Sequence, residues 1–161
     1  MTIRPARLPD DEPAIWAIFE EAISGHDSFA FLRETPREDL EKWWIGPQFH
    51  VFVAEIDGQI VGSYYLKPNQ PGLGSHVANG GYMTAGAFRG QGIAKKMCTH
   101  SLESARQLGY RAIQFNFVVA TNQPAVNAWK SMGFEIVGRL PGAFRHGNLG
   151  FVDALVMFQT L

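Results

Sequence analysis

The chain has 161 residues, of which 46% are hydrophobic and 18% are charged, which suits one globular domain with a sizeable core. Its formal net charge of −1 gives no overall attraction to nucleic acid or to an anionic membrane, so neither partner is predicted. The single cysteine, Cys98, excludes an intrachain disulfide and a metal site built from several cysteines. The first residues, MTIRPARLPDDEP, lack an apolar core long enough for a signal peptide, and no apolar run approaches the ~20 residues of a membrane span, so we expect a cytoplasmic protein.

The N-terminal third of the chain is predicted to be mainly helical. A short strand over 2–6 precedes a helix that Asp10 or Asp11 can cap, with apolar residues at helical spacing until Ser24. A second, shorter helix is expected after Pro36 and carries two tryptophans. Both helices therefore come before most of the sheet.

A hairpin and an unusual strand follow these helices. Apolar runs over 51–56 and 60–66 are joined by Asp57-Gly58, a pair suited to a tight turn with positive φ angles. The next strand, over about 76–84, contains Gly80-Gly81, which weaken a strand and often mark a bulge or a close backbone approach.

The C-terminal half alternates between helix and strand. In chain order we predict a helix over 91–108, a strand over 112–120, a helix over 123–132, and two strands over about 134–140 and 151–159. The strands on either side of the first of these helices should pair in parallel, because antiparallel neighbours would not need the crossover. We therefore expect an α/β fold of the α+β type, one domain over residues 1–161 with a mixed, mostly antiparallel sheet and helices on both faces.

The segment RGQGIAKK at 89–96 lies between a predicted strand and the start of a helix. The first N–H groups of a helix lack intrahelical partners, and Gly90 and Gly92 would let the backbone approach a bound phosphate closely. The spacing fits neither a Walker A loop nor a dinucleotide fingerprint, since Lys95 replaces the third glycine of the latter. By itself the segment is compatible with an anion site or with a plain turn.

Two segments together resemble the GNAT superfamily of acyl-CoA-dependent N-acetyltransferases. YMTAGAFRGQGIAKKM is similar to the pyrophosphate-binding segment of that family at Arg89, Gly92 and Ala94. TNQPAVNAWKSMGFEIVG is similar to a second signature at Asn122, Gly133 and Phe134. The resemblance implies a V-shaped cleft where a bulged fourth strand splays away from the fifth, and acetyl-CoA as the co-substrate.

The resemblance also implies which residues hold acetyl-CoA. The pantetheine arm would pair with the edge of the fourth strand, the pyrophosphate would meet the amides of the glycine turn, and an asparagine would hold the arm near the splay. The implied cofactor-binding residues are Tyr82, Met83, Thr84, Arg89, Gly90, Gln91, Gly92, Ile93, Ala94, Lys95, Asn122 and Trp129.

Acyl transfer requires a neutral amine and a proton for the leaving thiolate. Neutralising a lysine-like amine at pH 7 costs about 4.6 kcal/mol, whereas an α-amine costs about 1 kcal/mol. Many family members place a tyrosine acid where this chain has Trp129, whose indole does not release a proton at useful pH. We therefore interpret Trp129 as a packing residue and assign no acid.

Three residues are candidates for the acceptor side. Asn116 interrupts an apolar strand, and it is either a ligand of the substrate amine or a structural bridge across the splay. His146 is a candidate base, with solvation as the alternative, and Arg145 is a candidate ligand for an acceptor carboxylate.

The leading hypothesis is transfer of an acetyl group from acetyl-CoA to an amino-acid-like or xenobiotic small-molecule amine by direct attack in a ternary complex. The alternatives are acetylation of a protein lysine or N-terminus, and a non-catalytic acyl-CoA sensor. No metal is expected, and because dimers are common in the family, a homodimer is one alternative for the oligomeric state.

Overall fold

A seven-stranded mixed sheet organises the chain, and the computed structural model describes residues 1–161. The strands are β1 (Thr2–Pro5), β2 (His50–Ile56), β3 (Gln59–Pro68), β4 (Val77–Thr84), β5 (Ala112–Val119), β6 (Glu135–His146) and β7 (Gly150–Thr160). The α-helices are α1 (Glu12–Ser24), α2 (Ile93–Gln107) and α3 (Gln123–Ser131). The strand order is β1-β2-β3-β4-β5-β7-β6, and only β4 and β5 pair in parallel, which confirms the predicted sheet.

The core consists of two apolar layers on opposite faces of the sheet. Helices α2 and α3 cover one layer, to which Met97 and Trp129 belong, and α1 covers the other, to which Phe19 belongs. Cys98 is fully buried in the first layer, so its thiol is a packing group, as the helical pattern predicts. Leu108, at the end of the predicted helix over 91–108, follows the last residue of α2 and is 41% exposed. No helix is long and apolar enough to cross a bilayer.

The second helix predicted after Pro36 is not a regular α-helix. A 3₁₀ turn over Arg37–Asp39 leads into one π-helical turn over Glu41–Ile45. This wide turn carries Trp44 into the core, where it is 1% exposed and its Nε1 donates to Ser63 Oγ at 3.0 Å. Tertiary contact therefore overrides the local helical pattern here.

The bulge expected at Gly80-Gly81 is absent, because β4 pairs with β3 in unbroken register from Ala78 to Thr84. A Cβ atom at Gly81 would lie 2.7 Å from Cε1 of Tyr65, so a glycine is needed for the close approach of this ring. The irregularity beside the cleft lies in β5, whose register with β7 shifts between Phe115 and Val118. Strand β6 also extends beyond the predicted end, because it pairs with β7 again after a register shift.

Asp11 precedes α1, but its carboxylate does not cap the helix. It accepts hydrogen bonds from Arg4 Nη1 at 2.6 Å and from the Arg7 amide at 2.7 Å, while Arg4 Nη2 also donates to Glu55 Oε2 at 2.9 Å. The hydrogen bond from Arg4 holds the pKa of Asp11 below its usual value. The carboxylate therefore ties β1 to the start of α1 and, through Arg4, to β2.

Asp11→Asn is expected to lower the free energy of unfolding by about 1.5–3 kcal/mol at pH 7, because a charged hydrogen-bond acceptor is lost. Since the folded-state pKa of Asp11 is depressed, its stabilisation is complete above the unfolded pKa and is lost as the pH falls through the folded pKa. The difference from wild type should therefore shrink below about pH 4. Urea unfolding at several pH values measures this, with the exposed Asp10→Asn as the matched control. An equal loss in both variants would contradict the assignment.

Candidate cofactor and acceptor site

A cleft opens where the parallel pairing of β4 and β5 stops. The last paired residues are Asn79 and Gln114, and the Asn79 Nδ2 donates to the Gln114 carbonyl oxygen at 3.0 Å. Beyond this point β4 keeps its pairing with β3 only, so the backbone groups of residues 80–84 that would face β5 are left for a ligand. The splay predicted from the family resemblance is therefore present.

The glycine turn before α2 offers a row of free backbone donors. Gly90 and Gly92 have φ angles of +77° and +76°, which a glycine adopts without strain. The Arg89 amide donates to Gly86, and the next amide with an acceptor in the protein is that of Lys96, which donates to Gly92 at 3.0 Å. A Cβ atom at either glycine would meet nothing within 4 Å, so open space lies in front of these donors. This arrangement suits an elongated phosphate group.

A cavity of about 900 Å³, which we call the donor cavity, runs from this turn to the splay. Eleven of the twelve residues predicted to hold the cofactor line it, namely Tyr82, Met83, Thr84, Arg89, Gly90, Gly92, Ile93, Ala94, Lys95, Asn122 and Trp129. Gln91 is the exception, and its Nε2 donates to the Ala87 carbonyl oxygen at 3.3 Å. The segment Asp27–Phe29 also lines the cavity, and sequence reasoning missed it because the chain there has no helical or strand periodicity.

Asn122 caps α3 and faces the donor cavity with its remaining donor. Its Oδ1 accepts a hydrogen bond from the Ala125 amide at 3.3 Å, while its Nδ2 has no acceptor in the protein. Because the cap fixes which end of the amide points to the helix, the N–H₂ group is left for a ligand carbonyl.

A second cavity of about 260 Å³, which we call the acceptor cavity, joins the donor cavity beside Tyr82, Asn122 and Trp129. Eight of its eighteen lining residues are aromatic: Phe29, Phe31, Trp44, Tyr65, Tyr82, Phe115, Phe117 and Trp129. None of the eighteen is Asp, Glu, Lys, Arg or His. The rings from the segment after α1 were not foreseen, because isolated Phe29 and Phe31 in a loop carry no distinctive pattern.

Of the three aromatic residues that line both cavities, Phe29 has no acidic proton, and Trp129 and Tyr82 are not suited to donate one. Trp129 is 8% exposed and packs on Tyr82 and Phe115, with ring centroids 5.0 and 5.2 Å away. The Tyr82 hydroxyl forms a 2.6 Å hydrogen bond with Ser101 Oγ, and burial raises the pKa of Tyr82 well above its usual value. The packing interpretation of Trp129 agrees with this geometry.

Asn116 lines the acceptor cavity, and its side chain bridges β5 to the β3–β4 loop. Its Nδ2 donates to Asn69 Oδ1 at 2.7 Å, and its Oδ1 accepts from Gln114 Nε2 at 2.9 Å. Of the two alternatives left open for Asn116, these bonds favour the structural bridge.

His146 and Arg145 lie at the end of β6 and differ in their relation to the cleft. His146 lines the donor cavity, and its Nδ1 accepts a hydrogen bond from the Asn148 amide at 3.1 Å. Neutral imidazole then carries its proton on Nε2, which makes that nitrogen a donor, and this geometry does not favour a base. Arg145 is exposed and lines neither cavity.

The segment after α1 and the β6–β7 turn are joined beside the donor cavity. The Gly147 amide in the β6–β7 turn donates to the His26 carbonyl oxygen at 2.9 Å, which joins this turn to the segment after α1. Residues from both sides of this contact, Asp27–Phe29 and His146, line the donor cavity. The cleft is therefore bounded by the sheet below and by these two segments above.

A sheet that splays between its parallel strands, beside a helix start with unpaired amides, is the architecture of an acyl-CoA-dependent N-acetyltransferase. The chain belongs to the acetyltransferase (GNAT) family, whose model matches residues 14–134, and acetyl-CoA is the co-substrate of this family. A GCN5-related N-acetyltransferase from Kribbella flavida is 39% identical with a TM-score of 0.93, covering 99% of this chain and 97% of that one.

Two curated relatives extend this comparison. N-acetyltransferase aca1 of Schizosaccharomyces pombe is 35% identical over 106 residues, which cover 64% of this chain and 51% of that protein. L-amino acid N-acetyltransferase AaaT of Escherichia coli is 32% identical over 116 residues, which cover 71% of this chain and 70% of that protein. The matched part of this chain thus spans about half the length of aca1.

Gly92→Glu is expected to weaken coenzyme A binding at least tenfold relative to Gly92→Ala, because only glutamate adds a carboxylate beside the free amides. Both variants share the strain of a side chain at positive φ, about 1–2 kcal/mol, so the alanine variant controls for stability. Titration calorimetry measures the two dissociation constants. Equal constants would show that the anion binds elsewhere.

Proposed function

We propose that the chain is an N-acetyltransferase that moves the acetyl group of acetyl-CoA to the amine of a small molecule. The observation that carries this proposal is the continuity of the two cavities. The donor cavity begins at unpaired amides suited to a pyrophosphate, and it ends at the junction with the aromatic acceptor cavity. A thioester held by the donor cavity would therefore meet an amine held by the acceptor cavity.

The residues of the donor cavity match the parts of the co-substrate in order. The amides of residues 90–95 would receive the pyrophosphate, with Arg89 adding positive charge at the rim. The unpaired edge of β4 over Tyr82–Thr84 would pair with the amide groups of the pantetheine arm, and Asn122 Nδ2 would donate to one of their carbonyl oxygens. Hydrogen bonds to charged groups are worth about 1.5–3 kcal/mol each, so a few of them suffice for micromolar affinity.

The reaction proposed is direct attack in a ternary complex. The amine nitrogen forms a bond to the acetyl carbon, the carbon–sulfur bond breaks, and the proton lost by the amine balances the thiolate. An unpaired backbone N–H of β4 would polarise the thioester carbonyl. Because coenzyme A thiolate resembles cysteine, with a pKa near 8.5, its protonation at pH 7 is favourable by about 2 kcal/mol, and no dedicated acid is required.

A small acceptor is supported by the size of the acceptor cavity, whose volume of about 260 Å³ has room for a compact molecule. The alternative, acetylation of a protein, would place a lysine side chain or an N-terminus in this same cavity.

The alternative of a silent acyl-CoA sensor is motivated by the absence of Asp, Glu, Lys, Arg and His from the lining of the acceptor cavity. The sensor and the enzyme would share the donor cavity, so binding of acetyl-CoA alone does not distinguish them. Release of free thiol in the presence of an amine does distinguish them.

Acetyl-CoA at 100 times its dissociation constant is expected to stabilise the protein by about 2.7 kcal/mol, measured as a thermal shift. Free thiol should then be released when small amines are added, with L-amino acids in the panel because of the relative AaaT. A peptide carrying the same amine should react more slowly than the free molecule. Binding without thiol release for any amine would favour the sensor, and faster reaction of the peptide would favour protein acetylation.

A further inference from the structure

We propose that the acceptor cavity takes a compact, weakly basic aromatic amine, one that is already neutral when it binds. This inference rests on the function proposed above and names its acceptor class. It is drawn from three properties of the acceptor cavity: its lack of charged side chains, the hydrogen bonds that most of its polar side chains already make within the protein, and its aromatic walls.

The first property is the absence of any charged side chain among the eighteen lining residues. An ammonium group entering this cavity would lose its water without gaining a counter-charge from the lining, and the same holds for a carboxylate. Asp27 and His146 line the donor cavity only, and Asp27 Oδ1 already accepts a hydrogen bond from Ser28 Oγ at 3.0 Å. Polyamines and aminoglycosides carry several ammonium groups, and amino acids carry a carboxylate. The lining therefore selects against all three classes.

The second property is that most polar side chains of the cavity already have hydrogen-bond partners within the protein, with Asn122 Nδ2 as the exception. Asn79 accepts from the Tyr65 hydroxyl at 3.3 Å and donates to Gln114 at 3.0 Å. Asn116 is held at both ends of its amide by Gln114 and Asn69. A zwitterionic acceptor would have to break these bonds before it gained new ones.

Deprotonation of the acceptor is not assisted by the cavity. Its titratable lining residues are Tyr65 and Tyr82, and burial raises the pKa of Tyr65 to about 12. A lysine-like amine would enter neutral only after a cost of about 4.6 kcal/mol at pH 7. An amine attached directly to an aromatic ring is neutral at this pH and needs no base.

The third property is the shape and chemistry of the walls. Trp44 lies between Phe29 and Tyr65, with ring centroids 6.1 and 4.8 Å away and nearly perpendicular planes. Edge and face contacts of this kind suit a flat aromatic guest. The cavity volume of about 260 Å³ limits the guest to a compact molecule.

Aniline and cyclohexylamine form the matched pair for the test, because they share ring size and differ in basicity. With acetyl-CoA saturating, release of free thiol should give a kcat/KM at pH 7 at least tenfold higher for aniline. Between pH 6 and 8 the value for cyclohexylamine should rise about tenfold per pH unit with its neutral fraction, while that for aniline stays flat. A flat profile for cyclohexylamine would show that the protein supplies a base, and would overturn the proposal.

The proposed exclusion of charged acceptors is tested with 4-aminobenzoate and its ethyl ester, of which the uncharged ester should react faster.

Ser28 lines both cavities, so Ser28→Asp adds a carboxylate at their junction, and the uncharged Ser28→Asn is its control. The ratio of cyclohexylamine to aniline turnover should rise in the aspartate variant only. Equal ratios, or preference for an L-amino acid, would overturn the acceptor class while leaving the acetyltransferase proposal intact. No thiol release from any amine, with acetyl-CoA bound, would overturn both.

Discussion

The site depends on the interruption of one backbone ladder, where β4 and β5 stop pairing after Asn79 and Gln114. Ending a ladder inside a sheet leaves polar groups that must find partners. Here the side-chain Nδ2 of Asn79 donates a hydrogen bond to the Gln114 carbonyl oxygen. The hydroxyl of Tyr65, on the neighbouring strand β3, donates to Oδ1 of Asn79. Gly81 in turn leaves room for the Tyr65 ring. These side-chain hydrogen bonds compensate for the backbone hydrogen bonds that end between β4 and β5. The unpaired edge of β4 beyond them is available to a ligand.

The N-termini of α2 and α3 both lie at this cleft and give it a local positive electrostatic character. Helix α2 follows its N-cap residue Gly92, with the first amides unpaired, and α3 follows its N-cap residue Asn122, whose side-chain N–H₂ group is free. Both ends add partial positive charge to a chain whose formal net charge is −1. In the proposed function, affinity for an anionic co-substrate would therefore arise from oriented backbone donors, and it would need no excess of basic residues over the whole surface.

The sequence was most informative where backbone conformation is decided locally. Asp57 and Gly58 have φ angles of +49° and +81°, as the hairpin prediction required, and the glycine turn before α2 lies where its pattern placed it. Eleven of the twelve residues predicted to bind the cofactor line the donor cavity. Tertiary packing decided the rest: the π-helical turn at Trp44 and the aromatic walls from Phe29 and Phe31 depend on neighbours that are distant in sequence. The prediction of a bulge at Gly80-Gly81 was wrong for the same reason. A glycine pair also fits a regular strand that is closely approached by an aromatic ring, here that of Tyr65.

The two cavities differ in the charge and polarity of their lining, and this difference affects how strictly each would select its ligand. The donor cavity can hold its ligand through directed hydrogen bonds, which discriminate strongly because an unmatched polar group is costly. The acceptor cavity offers mainly shape and apolar contact, and in such sites one methylene group changes specificity by only about 1–3 kcal/mol. A transferase built in this way would be strict toward its acyl donor and tolerant toward acceptors that share a flat, uncharged body. Its discrimination among amines would then come chiefly from their basicity, because the cavity removes water from the amine without offering a group that takes its proton.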